Sequence, residues 1–329
     1  MGLFKKILVL GVVVALLAAA GTTYWASSPI LLPGEPVREF AIEPGSSVNG
    51  AVNQIADAGV PVNSTLFLLL ARLSGKSAKI KAGHYELKPG TSPLKLLDQL
   101  VRGQFAQESL AIIEGWTFRQ MREAIAAHPA LKHDTVQMSE RELLEKVAPG
   151  YKLGEGLFFP DTYLFAKGAS EIQIYRQAHA QLIKRLNKAW AARDAALPYK
   201  TPYEALVMAS IVEKETGTEA DRRMIAGVFV NRLKRGMLLQ TDPTVIYGMG
   251  EKYNGNIRKR DLETDTPYNT YTRAGLPPSP IALPGAAALA AAVNPASTDA
   301  LFFVSRGDGS SEFSSNLNDH NRAVNKYQR

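Results

Sequence analysis

The longest apolar stretch of the chain lies at its start. Residues 7–26 carry no charge, and Lys5 and Lys6 precede them. About 20 apolar residues in a helix span the hydrocarbon core of a bilayer, and basic residues favour the cytoplasmic side. We therefore predict a cytoplasmic N-terminus and one transmembrane helix over 1–28, with the rest of the chain exported. A cleaved signal peptide is the alternative, although the run is longer than the usual ~7–15 residues.

A strand–turn–helix pattern is repeated after a short linker over 29–36 that is rich in Ser, Pro and Gly. In the first copy, an alternating apolar and polar stretch runs into a Pro-Gly turn, and Ser46 or Ser47 can cap the helix that follows. The pattern predicts helices over 48–58, 94–101 and, in a weaker third copy, 118–127. A further apolar stretch of helical length covers 66–73. These elements predict a small αβ region over 37–110.

The rest of the chain has mainly helical periodicity. We predict a helical connector over 111–200, whose longest helix covers 170–195 and follows an aromatic-rich bend at 157–163. The final part, 201–329, contains an apolar helix over 203–216, a second helix over 225–235 and a hairpin between 301 and 314. Two segments, 237–247 and 267–281, contain Asn, Gln, Thr and Tyr residues that suit hydrogen bonds and stacking to sugar rings. The alternative, which we favour for each segment taken alone, is a loop shaped by Asp-Pro and Pro-Pro.

The composition excludes several kinds of site. The chain has no cysteine, which excludes disulfides, thiolate metal ligands and a cysteine nucleophile. Its five histidines are isolated, so we predict no metal site, and no motif indicates a cofactor. The net charge of +7 suits an anionic partner such as a membrane surface or a cell-wall polymer. We expect no nucleic-acid partner, because the exported topology argues against one.

The apolar helix over 203–216 ends in carboxylates. At about 100° per residue, Glu215 projects between Met208 and Ile211, with Val212 beside it, whereas Glu213 points to the other side. An apolar neighbourhood raises a carboxyl pKa, and a carboxyl that stays protonated near neutral pH can donate a proton to a glycosidic oxygen. Glu215 is therefore a candidate general acid. The alternative is that both glutamates only end a helix in solvent.

The Pro-Gly-Thr turn of the second repeat resembles the LysM cell-wall-binding module. That module has a strand that runs into such a turn and then a capped helix. The likeness covers about 37–103, and it implies carbohydrate binding by this region. The alternative is a purely structural spacer, since Pro-Gly-Ser/Thr is also a good connection between a strand and a helix.

Five longer motifs closely resemble the endolytic murein transglycosylase family (YceG-like) of bacterial inner membranes. The likeness covers almost the whole chain, and its motifs are more specific than a single glutamate. They are ASIVEKET at 209–216, LQTDPTVIYG at 239–248, YNTY at 268–271, GLPP at 275–278 and LNDHN at 317–321.

The resemblance implies a lytic transglycosylase that cleaves the β-1,4 bond between MurNAc and GlcNAc and leaves a 1,6-anhydro-MurNAc end. It places the catalytic glutamate at Glu215. More distant likeness to soluble lytic transglycosylases makes Gln240, Tyr268 and Asn269 substrate-binding candidates, although Thr216 replaces the serine of that pattern. Three further candidates for binding sugar come from the same motifs, and two acids are reserve candidates for the catalytic acid if Glu215 is not that residue. These are Thr244, Tyr247 and Tyr271 for binding, and Glu213 and Asp242 as acids.

The fold class predicted by these observations is α+β. A LysM-like αβ subdomain and a mostly helical, lytic-transglycosylase-like catalytic domain follow one transmembrane helix. The family resemblance implies the inner membrane, a periplasmic catalytic domain, nascent glycan strands as substrate and peptidoglycan synthases as neighbours. Two other functions remain open at this stage: a lysozyme-type hydrolase, and an anchored peptidoglycan-binding protein without activity.

Overall fold

The computed structural model describes residues 2–216 and 218–328, and it divides the chain into two compact units. The first unit contains the residues up to Glu108 together with Leu164–Ala169. The second contains Ser109–Tyr163 and the residues from Ser170 onward. The predicted connector and the predicted catalytic part thus lie in one compact unit, while the finer domain boundaries stay a prediction.

The chain begins with a long exposed helix, α1, over Leu3–Ser27. Among the described residues, α1 is the helix with the length and hydropathy needed to cross a membrane. None of the residues in its most apolar 18-residue window is buried inside the protein. An apolar helix whose most apolar window is not buried inside the protein is compatible with the predicted membrane anchor.

The rest of the first unit has two paired strands with two helices between them and one after them. Strands β1 and β2 are antiparallel, with Phe40 opposite Tyr85. Serine caps confirm two predicted helix starts: Ser47 accepts a bond from Gly50 N at the start of α2, and Ser92 caps α4. The elements are β1 (Arg38–Ile42), α2 (Val48–Asp57), α3 (Ser64–Leu73), β2 (Gly83–Leu87) and α4 (Pro93–Arg102).

The core of the first unit is almost wholly apolar. Tyr85 is its largest buried side chain, and its ring stacks on Phe40 with centroids 5.5 Å apart. The Tyr85 hydroxyl donates to the Lys81 carbonyl at 2.7 Å, which satisfies its one donor. Leucines from α4 and aliphatic residues from α2 close the core. Apolar burial on one face of each helix therefore holds this unit together.

The second unit is mostly helical. Its first half contains short strands and three helices. The first residues of β3 and the last residues of β5 belong to the first unit. They are β3 (Gln107–Ala111), α5 (Phe118–Ala126), β4 (Leu131–Lys132), α6 (Glu140–Val147), β5 (Thr162–Ala166), β6 (Ala169–Ser170) and α7 (Glu171–Ala191). Its second half contains α8 (Pro202–Glu215), α9 (Glu219–Lys234), α10 (Asp242–Met249), α11 (Lys259–Glu263), α12 (Ala286–Val293), β7 (Phe302–Ser305), β8 (Ser311–Ser314) and α13 (Leu317–Tyr327).

Helix α8 is the centre of the second unit. Every residue from 205 to 212 is buried, as expected for a helix that is apolar on all sides. It packs against α7, α9, α10 and the alanine-rich α12. Its one buried hydroxyl is satisfied, since Ser210 Oγ donates to Val207 O at 2.7 Å and accepts from Ile281 N at 3.0 Å. The packing fixes the C-terminal end of α8, which carries Glu213 and Glu215.

The predicted elements agree with the structure except at one segment and several helix ends. The helices predicted near 48–58, 66–73, 94–101, 118–127 and 203–216 and the C-terminal hairpin are confirmed. The prediction of a loop over 237–247 is wrong in its second half, because α10 begins at Asp242. Pro243 lies in the first turn of α10, where a missing N–H removes no helical hydrogen bond. Asp-Pro is equally compatible with a loop and with the first turn of a helix, so the sequence alone does not distinguish the two.

Candidate functional site

Glu215 is the last residue of α8 and lies at the wall of a cleft. The cleft has a volume of about 610 Å³ and is also lined by Arg232, Gln240, Asp242 and Tyr271. The Glu215 side chain is half-buried, and the hydroxyl of Thr241 donates a hydrogen bond to its Oε1. Four elements or loops therefore meet around one carboxyl: α8, α9, the start of α10 and the 268–271 loop.

Burial raises the pKa of Glu215 to about 7, and the nearby Asp242 carboxylate acts in the same direction. The Thr241 hydroxyl and the Arg232 cation oppose this rise, because both favour the carboxylate. The carboxyl is thus protonated below about pH 7 and ionised above it. A group balanced in this way can give up a proton and take one back at neutral pH.

Arg232 is a buried cation that the sequence did not reveal. Its Nε donates to Leu301 O at 2.7 Å, and its Nη1 donates to Leu239 O at 2.6 Å. These bonds tie α9 both to the C-terminal hairpin and to the turn that carries Gln240. Burial lowers the pKa of Arg232, while the negative partner Glu215 raises it. Its position in a helix rich in Lys and Arg gave no separate signal in the sequence.

Gln240 has a strained backbone next to this cation. Its φ of 50° lies in the left-handed region, and among the described residues no other non-glycine residue has a positive φ. Its N–H donates to Thr270 O at 3.1 Å, and Thr241 N donates to the Thr270 hydroxyl at 3.1 Å. Such strain costs of order 1–3 kcal/mol and concentrates at functional sites. The side chain of Gln240 is exposed and lines the cleft.

Thr244 and Asn269 are buried and hold the backbone around the cleft. Thr244 Oγ1 donates to Thr241 O at 2.7 Å. Asn269 Nδ2 donates to Leu262 O at 2.9 Å and to Thr264 O at 2.7 Å, and its Oδ1 accepts from Tyr271 N at 2.8 Å. Both side chains use their polar atoms inside the protein and neither lines the cleft. Their geometry supports a positioning role instead of contact with a ligand.

Tyr271 and Asp242 form a polar pair on the cleft wall. The Tyr271 hydroxyl donates to Asp242 Oδ1 at 2.6 Å. Burial raises the pKa of Tyr271, and so does the Asp242 carboxylate that accepts its proton. The phenol is therefore neutral and directed at the carboxylate. Asp242, a reserve acid in the sequence analysis, lies in the same cleft as Glu215 and is exposed.

Tyr247 and Tyr268 lie together but outside the lining of this cleft. Their ring centroids are 4.8 Å apart at an angle of 64°, and the Tyr268 hydroxyl is 2.8 Å from Ser279 Oγ. Tyr247 is hydrogen-bonded to Glu155, a buried carboxyl that also accepts from Phe118 N at 3.0 Å. Burial raises the pKa of Glu155 to about 7.

Sequence reasoning missed Glu155, which belongs to this second polar cluster. It lies between two glycines, directly before an aromatic run. That placement is the one signal in the sequence, and it does not by itself indicate a chemical role. Glu155 is a further site feature that only the structure brings next to a predicted tyrosine.

Glu213, the other reserve acid, supports the fold. Its Oε2 accepts a hydrogen bond from Gly285 N at 2.9 Å, at the N-terminus of α12. Burial raises its pKa, and that backbone donor opposes the rise. Glu213 does not line the cleft of Glu215, in agreement with the opposite projection expected for the two glutamates.

The C-terminal hairpin and α13 also line the cleft, with residues that the sequence did not indicate as site candidates. They are Phe302, Phe303, Val304, Ser305, Leu317, His320, Val324 and Gln328. Within residues 2–216 and 218–328, no three or more His, Asp or Glu side chains come together in a way that could hold a metal ion.

The YceG-like family model matches residues 40–326. The chain belongs to the YceG-like family. The match includes every residue of the cleft around Glu215 except Gln328.

Curated relatives and a solved structure agree with this assignment. A Bacillus subtilis protein named endolytic murein transglycosylase is 30% identical over 87% of this chain and 83% of its own length. A Streptococcus pneumoniae protein of the same name is also 30% identical, over 86% of this chain, which spans 57% of that longer protein. A crystal structure of a YceG-like protein from Listeria monocytogenes aligns with a TM-score of 0.56 and 30% identity, over 88% of this chain and 99% of that one.

Proposed function

We propose that this member of the YceG-like family is a lytic transglycosylase acting on murein, with Glu215 as its catalytic acid and base. The observation that carries the proposal is the half-buried Glu215 carboxyl in an open cleft, with a pKa of about 7 and a hydroxyl donor on it. The relatives named endolytic murein transglycosylase support the reaction class and the substrate.

The proposed reaction cleaves the β-1,4 bond between MurNAc and GlcNAc. Protonated Glu215 donates its proton to the bridging oxygen, and the bond from the MurNAc anomeric carbon to that oxygen breaks. The Glu215 carboxylate then takes the proton of the MurNAc 6-hydroxyl, whose oxygen bonds to the anomeric carbon. The products are a GlcNAc hydroxyl and a 1,6-anhydro-MurNAc end. The nucleophile is part of the substrate, so no second carboxylate is required.

The other cleft residues support these two proton transfers. The Thr241 hydroxyl orients the Glu215 carboxyl, and the Arg232 cation stabilises the carboxylate that forms after proton donation. Gln240 presents an exposed amide to the cleft, which suits hydrogen bonds to the acetamido groups of the sugars. The Tyr271–Asp242 pair offers a further polar contact on the same wall. We propose that Tyr247 and Tyr268, which lie outside the lining of this cleft, belong to a sugar-binding surface that extends beyond it.

Helix α1 and the family support a proposal for the place of action. We propose that α1 anchors the chain in the inner membrane with its catalytic unit in the periplasm, where it cuts nascent strands beside peptidoglycan synthases. The length and exposed apolar surface of α1 support the anchor. Lys5 and Lys6 support a cytoplasmic N-terminus.

We further propose that the first unit is a LysM-like glycan-binding subdomain. Its order β1, α2, α3, β2, with the two strands antiparallel, supports this reading, as does the Pro-Gly-Thr turn after β2. A structural spacer is the alternative. Substitution of Thr91→Ala in the Pro-Gly-Thr turn should weaken pull-down of the protein by insoluble peptidoglycan if the turn contacts sugar, and should leave it unchanged if the unit is a spacer.

The test is mass spectrometry of glycan strands digested by the full chain in detergent. Wild type should cut long strands internally and leave fragments with 1,6-anhydro-MurNAc ends. The Glu215→Gln variant should produce no such ends. Reducing MurNAc ends would identify a hydrolase, and the exposed Asp242 in the same cleft would then be the candidate to activate water. Intact strands with both proteins would favour a binding protein without activity.

A further inference from the structure

The cleft that contains Glu215 is also lined by a stacked pair of aromatic rings. Phe302, in β7, and His320, in α13, have ring centroids 5.1 Å apart and an interplanar angle of 24°. The guanidinium of Arg232 lies 5.3 Å from the centroid of Phe302 and donates to the carbonyl of the preceding residue, Leu301. Both rings line the cleft and are half-buried. The pair is therefore held in a fixed orientation beside the site.

The surroundings of His320 determine its protonation state. Burial lowers the pKa of His320, and the Arg232 cation in the same wall acts in the same direction. Glu215 and Asp242 also line this cleft, as the acidic groups that face it. Burial and the cation outweigh the effect of these two acidic groups on the pKa of His320. The imidazole is therefore neutral near pH 7, where Glu215 gains or loses its proton. A neutral imidazole has one N–H donor and one acceptor nitrogen.

The contacts of the ring determine which nitrogen carries the proton. Nδ1 is buried and has no hydrogen-bond partner among the described residues. A buried N–H without an acceptor is rarer in proteins than a buried acceptor without a donor. The proton therefore belongs on Nε2, the ring nitrogen on the other side, for which the described residues offer no acceptor. His320 thus has an unused N–H donor at the wall of the cleft.

We propose that His320 is a substrate-binding residue, whose Nε2–H donates to an uncharged oxygen of the glycan while the Phe302–His320 pair packs against the sugar beside Glu215. The identity of the ligand rests on the function proposed above. Hydroxyl and acetamido oxygens of amino sugars are acceptors that a neutral donor can bind without a charge. A flat apolar surface next to such a donor suits a sugar ring, which has an apolar face and polar edges.

Binding measured in an inactive protein tests this inference separately from catalysis. The parent is the full chain with Glu215→Gln in detergent, titrated with purified glycan strands. Adding His320→Phe keeps an aromatic ring but removes the donor, and should weaken binding about tenfold, the effect of one lost hydrogen bond. Adding His320→Gln restores a donor and should keep binding within about threefold of the parent. The control is Asn321→Ala, an exposed neighbour in α13, which should leave binding unchanged.

Kinetics of the otherwise wild-type chain provide a second readout. His320→Phe should raise KM about tenfold and change kcat less than about twofold, because the lost contact is made in both the ground state and the transition state. A second variant without a donor, His320→Met, covers the case in which phenylalanine disturbs the fold. Equal binding by the parent and by both donor-free variants would overturn the role of His320.

The outcomes separate this inference from the proposed function. If wild type cuts glycan and the parent binds it, only the loss in His320→Phe and His320→Met decides the role of His320. If wild type leaves glycan intact and the parent does not bind it, the proposed function fails and this inference fails with it. A loss of kcat without a change in KM would also contradict substrate binding by His320.

Discussion

The two units of the chain differ in what they bury. Among the described residues of the first unit, Ser92 is the buried polar residue of an otherwise apolar core. The second unit buries charged and polar side chains beside its aliphatic core. They include Glu155, Glu171, Asp221, Arg232, Thr241, Thr244, Asn269 and Thr270.

The difference indicates where the chemistry lies. Burying a carboxyl or a guanidinium costs free energy unless partners compensate for the lost water. The second unit provides such partners around its cleft, where Arg232 binds backbone carbonyls and Thr241 binds Glu215. The first unit buries apolar surface that contributes stability without a reactive group. Substitutions in the two units should therefore separate catalysis from stability.

The largest expected effect comes from the acid itself. Glu215→Gln keeps the size and polarity of the side chain but removes its exchangeable proton, so kcat for glycan cleavage should fall about 10²–10⁴-fold. The control is Glu213→Gln two residues earlier, which keeps an acceptor for Gly285 N and should retain cleavage. Rates of anhydro-end formation check both variants. Equal loss in the two proteins would assign the effect to the end of α8 and not to one carboxyl.

The next effect is the pH dependence of cleavage. Because the first step needs protonated Glu215 and its pKa is about 7, kcat/KM should fall about tenfold per pH unit above 7. The profile of initial rates between pH 5 and 9 checks this. A profile of kcat/KM that stays flat to pH 9 would exclude Glu215 as the proton donor.

The same pKa predicts the pH dependence of stability. The unfolded chain releases the Glu215 proton near 4.5 and the folded chain near 7, so the folded state binds more protons between these values. The free energy of unfolding should therefore fall as the pH rises from about 4.5 to 7. Glu215→Gln should remove about 1–3 kcal/mol of this fall. Urea unfolding at pH 5 and pH 8 measures this change in the free energy of unfolding. The same change in wild type and in Glu215→Gln would contradict a raised pKa at Glu215.

A smaller effect should come from Thr241. Thr241→Val removes the hydroxyl that donates to Glu215, and this donor favours the carboxylate. The pKa of Glu215 should rise, which moves the alkaline limb of kcat/KM to higher pH, and kcat should fall about tenfold as the carboxyl loses its orientation. Thr241→Ser keeps the hydroxyl and should keep the wild-type limb. An unshifted limb in Thr241→Val would show that the hydroxyl only supports the fold.

The smallest effect on cleavage should come from the first unit. Leu97 is fully buried in its core, and Leu97→Ala should lower the free energy of unfolding by about 2–5 kcal/mol. Cleavage of soluble glycan strands, measured well below the melting temperature, should change less than about twofold because Leu97 is an apolar core residue of the first unit and takes no part in proton transfer. Thermal unfolding and cleavage rates check the two parts. A loss of kcat as large as that of Thr241→Val in folded Leu97→Ala protein would show that the first unit also contributes to catalysis.

The sequence predicted local elements well because local rules form them. Ser47 and Ser92 cap helices as their types require, and the periodicity over 203–216 predicted both α8 and the projection of Glu215. The mixed α and β composition was also predictable. The start of α10 was missed, because a Pro near a helix N-terminus and a Pro in a loop have the same sequence signal.

The long-range part of the cleft was not predictable from one sequence. Arg232 reaches Leu301 across 69 positions of the chain, and His320 meets it from another helix. No local pattern encodes such pairings, since tertiary packing brings the residues together. The burial of Thr244 and Asn269 has the same origin, and it supports a positioning role for both side chains. Family likeness indicated the segments, while the structure assigned the contacts.

Glu215 is a carboxyl held between its protonated and ionised forms at neutral pH. Carbon-13 NMR of the full chain labelled at glutamate side-chain carboxyls measures this directly, with Glu215→Gln identifying the resonance and Glu155→Gln separating the other raised carboxyl. The structure predicts that the Glu215 resonance titrates near pH 7, with the protonated form dominant at pH 6. Titration near 4.5, the ordinary value of a solvated glutamate, would contradict the account.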